Sequence, residues 1–431
     1  MRLDDYVEGL EPDESYERRK LAEEKSYAVL DHLDDVAESF QAATQKDKLF
    51  GSTAPSVFVG RHGYPEVSAG ILSPMESAED AEAFATSADW YGQGLDIESV
   101  LTRRSGLLNS KRGANVDVHD TWDGFVGVQR EVAMADRPVD VEIGLSETPE
   151  FDFSVDDVTT PTGPNARAET ADLAENPHVP QEVEKTLRDD DWGAEGAMTY
   201  LYRRDFDVYD INRVLSAGGL GTAEQRRLVP TRWSITAVDD TVGNFLRGKV
   251  RSNPSVSGVQ VWVNEYLGNR YWVVLAPGQW EYELVEMKSP GSVWNPDQTG
   301  QVWMGSAHEG YEGRTGYVDE TAGAYYASRL GVLEYLDRVG RQAKALVLRE
   351  VSDDYWAPVG VWQVRESVRN AFDGAPAAHP RADELQGEPG EAGSLGEALR
   401  TIVPQLPVSM ADLRRKSELA AGLQSTIGDF G

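Results

Sequence analysis

Glu286, Lys288 and the acidic pair Asp239-Asp240 are residue types that could hold a metal and activate water. In Glu286-Met287-Lys288 the carboxylate and the amine alternate onto one face of an extended strand. A carboxylate from an earlier strand end, Asp239 or Asp240, would complete a Mg²⁺ site of nuclease type. The motif is short, and Trp280, Tyr282 and Leu284 share the same face, which points equally to core. A second constellation closes the sequence. Gln424, Ile427 and Phe430 stand three apart and Gly431 follows, the spacing of the box that docks a peptide on a sliding clamp (PCNA). Ile427 and Phe430 align on one side of a tight helical turn and can fill one apolar pocket, with Gln424 hydrogen-bonding beside them. The last position of such a box normally carries a second aromatic, so Gly431 predicts weaker binding.

A third set is basic. The formal net charge is −32, yet residues 99–116 contain no acid and carry Arg103, Arg104, Lys111 and Arg112. From 211 to 264 seven basic residues face three acids. Local positive charge in so acidic a chain suits phosphate, and the glycines of Gly218-Gly219-Leu220-Gly221, with Gly243 and Gly248, suit close backbone approach in arginine-bearing loops. The competing reading is that these arginines pair with carboxylates elsewhere on the fold. Three further segments mix Gly, Pro, polar and aromatic residues: Gly60-Arg61-His62-Gly63-Tyr64-Pro65, Pro230-Thr231-Arg232-Trp233-Ser234 and Ser289-Pro290-Gly291-Ser292-Val293-Trp294. There Trp233 or Trp294 could stack a base, Arg232 could hold a phosphate, and Arg61 and His62 stand beside them. The bland alternative is loop packing under a sheet.

Other chemistries find little support. Cysteine is absent, which removes disulfides, thiolate nucleophiles and cysteine-bound zinc. The six histidines are scattered, with no His-x-x-x-His or His-Glu-x-x-His. Gly218–Gly221 lacks the Lys-Ser/Thr of a Walker loop. The expectation is therefore no cofactor, apart from Mg²⁺ if the chain is a nuclease. Ten of the 41 basic residues are lysine. An acid-rich, lysine-poor chain suits molar salt, where a Debye length of about 3 Å screens carboxylate repulsion. No apolar run approaches a membrane span and no signal peptide is read, so a soluble, cytoplasmic protein without a membrane partner is expected.

The elements that must position these residues follow from periodicity. Residues 14–48 read as a helix, with Val29, Leu33, Val36 and Phe40 on one face. Ser56–Val59, Phe125–Val128 and Val139–Ile143 read as extended, Asp156–Pro180 as a long loop, and Ala194–Leu215 as a helix. Val259–Leu284 alternates through two turns and predicts a three-stranded antiparallel meander. Helical periodicity returns past Gly323, with Val332, Leu336, Val339 and Ala343 on one face. Asp373–Gly396 reads as a linker and Met410–Leu423 as a short helix. The fold class is α+β: a mixed or antiparallel central sheet with flanking helices, plus a smaller, mainly helical C-terminal module. The modules are set at 1–305 and 306–420, followed by a tail of 421–431.

The chain resembles the Nre family of archaeal DNA repair proteins. The resemblance rests on Pro55–Pro65, on Val229-Pro230-Thr231-Arg232-Trp233-Ser234 through Asp240, on Met287-Lys288-Ser289-Pro290-Gly291-Ser292 and on Tyr355–Glu366. It implies a DNA repair role and binding to the sliding clamp through Gln424–Gly431. Many members begin with a four-cysteine zinc finger, which this chain lacks, so no zinc is carried over. The resemblance assigns no catalytic residues. The leading expectation is a repair factor tethered to PCNA, with a surface for DNA or a nucleotide. The alternatives are a Mg²⁺-dependent nuclease or other nucleotide-processing enzyme, and a non-catalytic adaptor.

Overall fold

The computed structural model describes residues 48–54, 56–75, 81–118, 122, 124–146, 163–290, 292, 295, 300–373 and 390–422. The helix expected over 14–48 lies almost wholly outside them. The described chain divides into two compact units between Gly248 and Lys249.

The first unit is a six-stranded mixed sheet with helices. In chain order it contains β1 (Lys48–Ser52), β2 (Ser56–Val59), β3 (Glu66–Pro74), α1 (Asp89–Gly92), α2 (Ile97–Ser105), β4 (Leu107–Asn115) and α3 (Gly124–Met134). These are followed by β5 (Asp140–Leu145), β6 (Asn165–Leu173), α4 (Gln181–Arg188), α5 (Ala194–Tyr202), α6 (Val208–Ser216) and α7 (Thr231–Val250). The strand order is β1-β5-β6-β4-β3-β2, antiparallel except where β4 meets β6. Alternation puts Val57, Val59, Val67, Ala69, Ile71, Val141 and Ile143 into one core with Phe125, Val132 and Ala133 of α3.

Three expectations change here. Phe125–Val128 is helical, because Phe125, Gln129, Val132 and Ala133 recur at helical spacing on a buried face and packing overrides the local β preference. The expected loop 156–180 contains β6. Its alanines give too weak an apolar signal to read as a strand, yet Ala168 and Ala171 are buried and the backbone pairs with β5 and β4. The single helix expected over 194–215 is two, divided at Asp205, whose φ of 65° is left-handed, and α6 restarts on an Asp207 cap that accepts from Tyr209 N–H.

The second unit is a sheet buried on both faces. It contains β7 (Val259–Tyr266), β8 (Asn269–Ala276), β9 (Glu281–Lys288), β10 (Trp303–Glu309), α8 (Ala322–Val339) and β11 (Lys344–Val351). After these come α9 (Trp362–Asp373), β12 (Gly390–Ala392), α10 (Leu395–Ile402), α11 (Met410–Lys416) and α12 (Glu418–Ala421). The order is β10-β9-β11-β8-β7-β12. β7 and β8 form the expected hairpin, but β8 and β9 do not pair. β11 lies between them, antiparallel to β8 and parallel to β9, so the predicted meander is broken at its second turn. A short link suggests a hairpin locally, but Ala345–Leu348, fully buried, outcompetes it by burying both faces.

Val259, Val261, Val263, Trp272, Val274, Leu346 and Leu348 pack against Ala398, Leu399, Ile402, Leu413 and Leu419 of the helical C-terminal region. On the opposite face Trp262 meets Tyr335 and Phe372 edge-on, at 5.3 and 4.9 Å. The helix past Gly323 ends at Val339, which is exposed, where Gly340 takes a φ of 62°. Met410–Leu423 is likewise two short helices, meeting at Ser417. The buried Glu283 carboxylate on β9 accepts from Ser417 Oγ (2.7 Å), Glu418 N–H (2.8 Å) and Leu419 N–H (2.9 Å). It thereby caps the last helix. The boundary expected near residue 305 falls within β10. Among the described residues no helix is long and apolar enough to cross a membrane.

Candidate nucleic-acid interface

The Pro230–Ser234 run opens α7, and its two sides have different work. Thr231 and Ser234, three apart, face inward. Thr231 Oγ1 accepts from Val59 N–H at 2.9 Å and lies 3.1 Å from Ser216 Oγ. Ser234 Oγ donates to Asn212 Oδ1 at 2.6 Å. These hydroxyls tie the first turn of α7 to β2 and α6. Arg232 and Trp233 are thereby turned outward, and the indole is 46% exposed.

The turn between β2 and β3 meets them. Gly60 N–H donates to Ser68 O and Glu66 N–H to Gly63 O, closing a tight loop. Gly63 has a φ of 83°, and a Cβ there would stand 2.7 Å from Glu66 O, so only glycine fits. The loop presents Arg61, His62 and Tyr64, all exposed. The Tyr64 ring, 47% exposed, leans on Trp233 with centroids 5.5 Å apart and planes at 50°. Among the described residues the side chains of Arg61, His62 and Arg232 have neither a hydrogen-bond nor an ion-pair partner. Two segments far apart in sequence thus build a patch of two exposed rings, two free guanidinium groups and an imidazole. It stands at the positive end of a 20-residue helix.

Most other expected contacts are already committed to the fold. Arg103 donates to Ala83 O (2.9 Å) and Gln93 Oε1 (2.8 Å), and Arg104 to Thr86 Oγ1 (3.2 Å); both lie over Trp90. Arg112 donates to Glu169 O. Lys111 sits on β4, away from these two turns in the sequence. Arg213 pairs with Asp210, Arg227 with Asp117, Lys249 with Asp337 and Arg251 with Glu312. Buried Arg226 serves the carbonyls of Gly221 and Leu187.

The glycine run is no phosphate cradle. Gly218 N–H and Gly219 N–H donate to Leu215 O and Val214 O and close α6. Gly243 and Gly248 are helical, not loop, residues. Trp294 and the whole of Gln424, Ile427, Phe430 and Gly431 lie outside the described residues.

The metal constellation is not assembled either. Asp239 and Asp240 sit inside α7 and not at a strand end, because the inward residues of 231–250 recur at helical spacing. Asp240 accepts from Asn244 Nδ2 at 3.1 Å. Glu286 is buried in a pair with Arg349, whose guanidinium also donates to Asn269 Oδ1 at 2.7 and 3.0 Å. Lys288 Nζ lies 3.9 Å from the centre of the Trp303 ring. Asp239 and Asp240 belong to one unit, Glu286 and Lys288 to the other. Among the described residues no three His, Asp or Glu side chains are grouped to hold a metal.

Sequence reasoning named Arg61, His62, Arg232 and Trp233 but gave Tyr64 no role, and it missed Thr231, Ser234 and Ser216 as the groups that aim them. The spacing of Thr231 and Ser234 around an outward Arg-Trp pair was the available signal.

The family model for archaeal Nre, N-terminal, matches residues 21–295, and that for archaeal Nre, C-terminal, matches 309–430. The chain is 62% identical over 433 residues to DNA repair protein NreA of Haloferax volcanii, covering all of both chains. It is 38% identical to DNA repair protein NreA of Archaeoglobus fulgidus, over 78% of this chain and 83% of that one. With DNA repair protein NreB of the same organism it shares 37% identity, over 90% and 93%. No solved structure matches the chain.

Proposed function

The chain belongs to the archaeal Nre family, and from that premise we propose that it is a DNA repair factor that engages nucleic acid at the Tyr64–Trp233 face. Arg61, His62 and Arg232 meet phosphates and the exposed rings meet bases. The carrying observation is that among the described residues Arg61 and Arg232 are free while most of the other expected basic residues are bonded into the fold. In a chain at −32, an uncompensated pair of arginines beside two exposed aromatic rings is a poor solvent face and a good phosphate face. The box Gln424–Gly431 delivers the factor to the sliding clamp in the cytoplasm. The nuclease alternative is not carried further, because Glu286 is held by Arg349.

The test is DNA binding by the full chain and by an Arg61→Ala/Arg232→Ala variant. Loss of about tenfold or more in the variant is expected, and undiminished binding removes the face from consideration. For the tether, clamp titration with Phe430→Ala is expected to weaken binding, and equal affinity for wild type and variant would end that role.

A further inference from the structure

The Tyr64–Trp233 pair is a wedge and not a slot. A base held between two parallel rings needs them about 7 Å apart, twice the stacking rise. Here the centroids are 5.5 Å apart and the planes meet at 50°, so nothing enters between them. What remains available is the outward face of each ring, with Tyr64 bracing the indole and lowering the entropy lost when a ligand stacks on it. A duplex cannot use such a face, since its base planes are covered by their neighbours and only its edges and phosphates are presented. Arg61, His62 and Arg232 come from one loop and one helical turn, and neighbouring Glu66 is exposed. Duplex DNA brings one negative charge per 1.7 Å of axis, and an acid-rich chain repels those that Arg61 and Arg232 do not meet.

We propose that this face takes single-stranded DNA, with one unpaired base stacked on Trp233 and the adjoining phosphates met by Arg61 and Arg232. This rests on the nucleic-acid reading above and adds which form of DNA is accepted. Stacking is the major part of the attraction. Two arginines release few counterions, so the logarithm of affinity falls against the logarithm of salt with a slope of about −1.4, the value for two single-strand phosphate contacts. A stacking contact survives in concentrated salt, where a purely ionic one is screened.

The experiment measures anisotropy of labelled DNA with the full chain, using oligo-dT, a duplex of the same length, and an abasic strand of the same charge. The expected result is at least tenfold preference for oligo-dT over both competitors. Trp233→Ala should lower oligo-dT affinity by about 5- to 150-fold, the range for loss of one stacked base, while Trp233→Phe retains most of it. Equal affinity for oligo-dT and the abasic strand, or no effect of Trp233→Ala, overturns the inference. Duplex bound as tightly as single strand, and still dependent on Arg61 and Arg232, overturns the inference but leaves the nucleic-acid reading intact. If no form of DNA binds wild type, both fall.

Discussion

Arginine and aromatic residues are arranged in opposite ways around Glu309 in the second unit and at the Tyr64–Trp233 face of the first. In the second unit Arg329 Nε donates to Glu309 at 2.8 Å, the same oxygen accepts from Trp280 Nε1 at 2.9 Å, and both ionic side chains are at most 2% exposed. Arg349 is consumed by Glu286 and Asn269, and Arg369 by Glu334 and Glu366. The rings beside that pair are buried: Trp280 stacks on Tyr282 at 6.0 Å, and Tyr282 meets Tyr325 edge-on. In the first unit Arg61 and Arg232 have no carboxylate partner among the described residues, and Tyr64 and Trp233 face outward. The residue types are the same; pairing and burial separate a closed framework from a face left open. A buried pair holds its own unit together, whereas an unpaired cation beside an exposed ring remains available to something else.

Three variants bear on this contrast. Arg329→Ala leaves the Glu309 carboxylate buried without its cation and is expected to cost about 3–5 kcal/mol, read from denaturant unfolding. A cost below about 1 kcal/mol would place that pair with ordinary surface bridges and blur the distinction. Gly63→Ala forces an L-residue into a left-handed turn, with its Cβ 2.7 Å from Glu66 O. About 1–2 kcal/mol is expected, with a larger effect on DNA affinity than on stability because Tyr64 is displaced. The smallest effect belongs to Arg61→Ala/Arg232→Ala, whose unfolding free energy should stay within about 0.5 kcal/mol of wild type. A large loss of stability there would make those arginines structural after all.

Much of the fold was legible where periodicity is strong. Val259, Val261 and Val263 alternate cleanly, and β7 and β8 form the hairpin their pattern implies. The place of β11 was not legible. Nothing local to Lys344–Val351 says that it will separate two strands joined by a four-residue link, since that outcome depends on burying both its faces at once. Phe125–Val128 misled for the same reason in reverse, because four apolar letters carry no period and a buried helical face decided the matter. At the site, residue types singled out Arg61, Arg232 and Trp233. Only their free state distinguishes them from Arg103, Arg112 and Arg226, and that state depends on where carboxylates and carbonyls fall in space. The sequence supplied the candidates, and three-dimensional pairing removed most of them.

The position of β11 also orders events during synthesis. β9 finds both of its neighbours, β10 and β11, later in the chain, and β8 finds one. A growing chain that stops short of Lys344 holds β8 and β9 on either side of a gap one strand wide, each with an open edge, that of β8 rich in valine and aromatic residues. Such edges recruit other strands if left waiting. The eight residues Lys344–Val351 therefore act as a keystone: until they are inserted the sheet is two ribbons, and afterwards it is one.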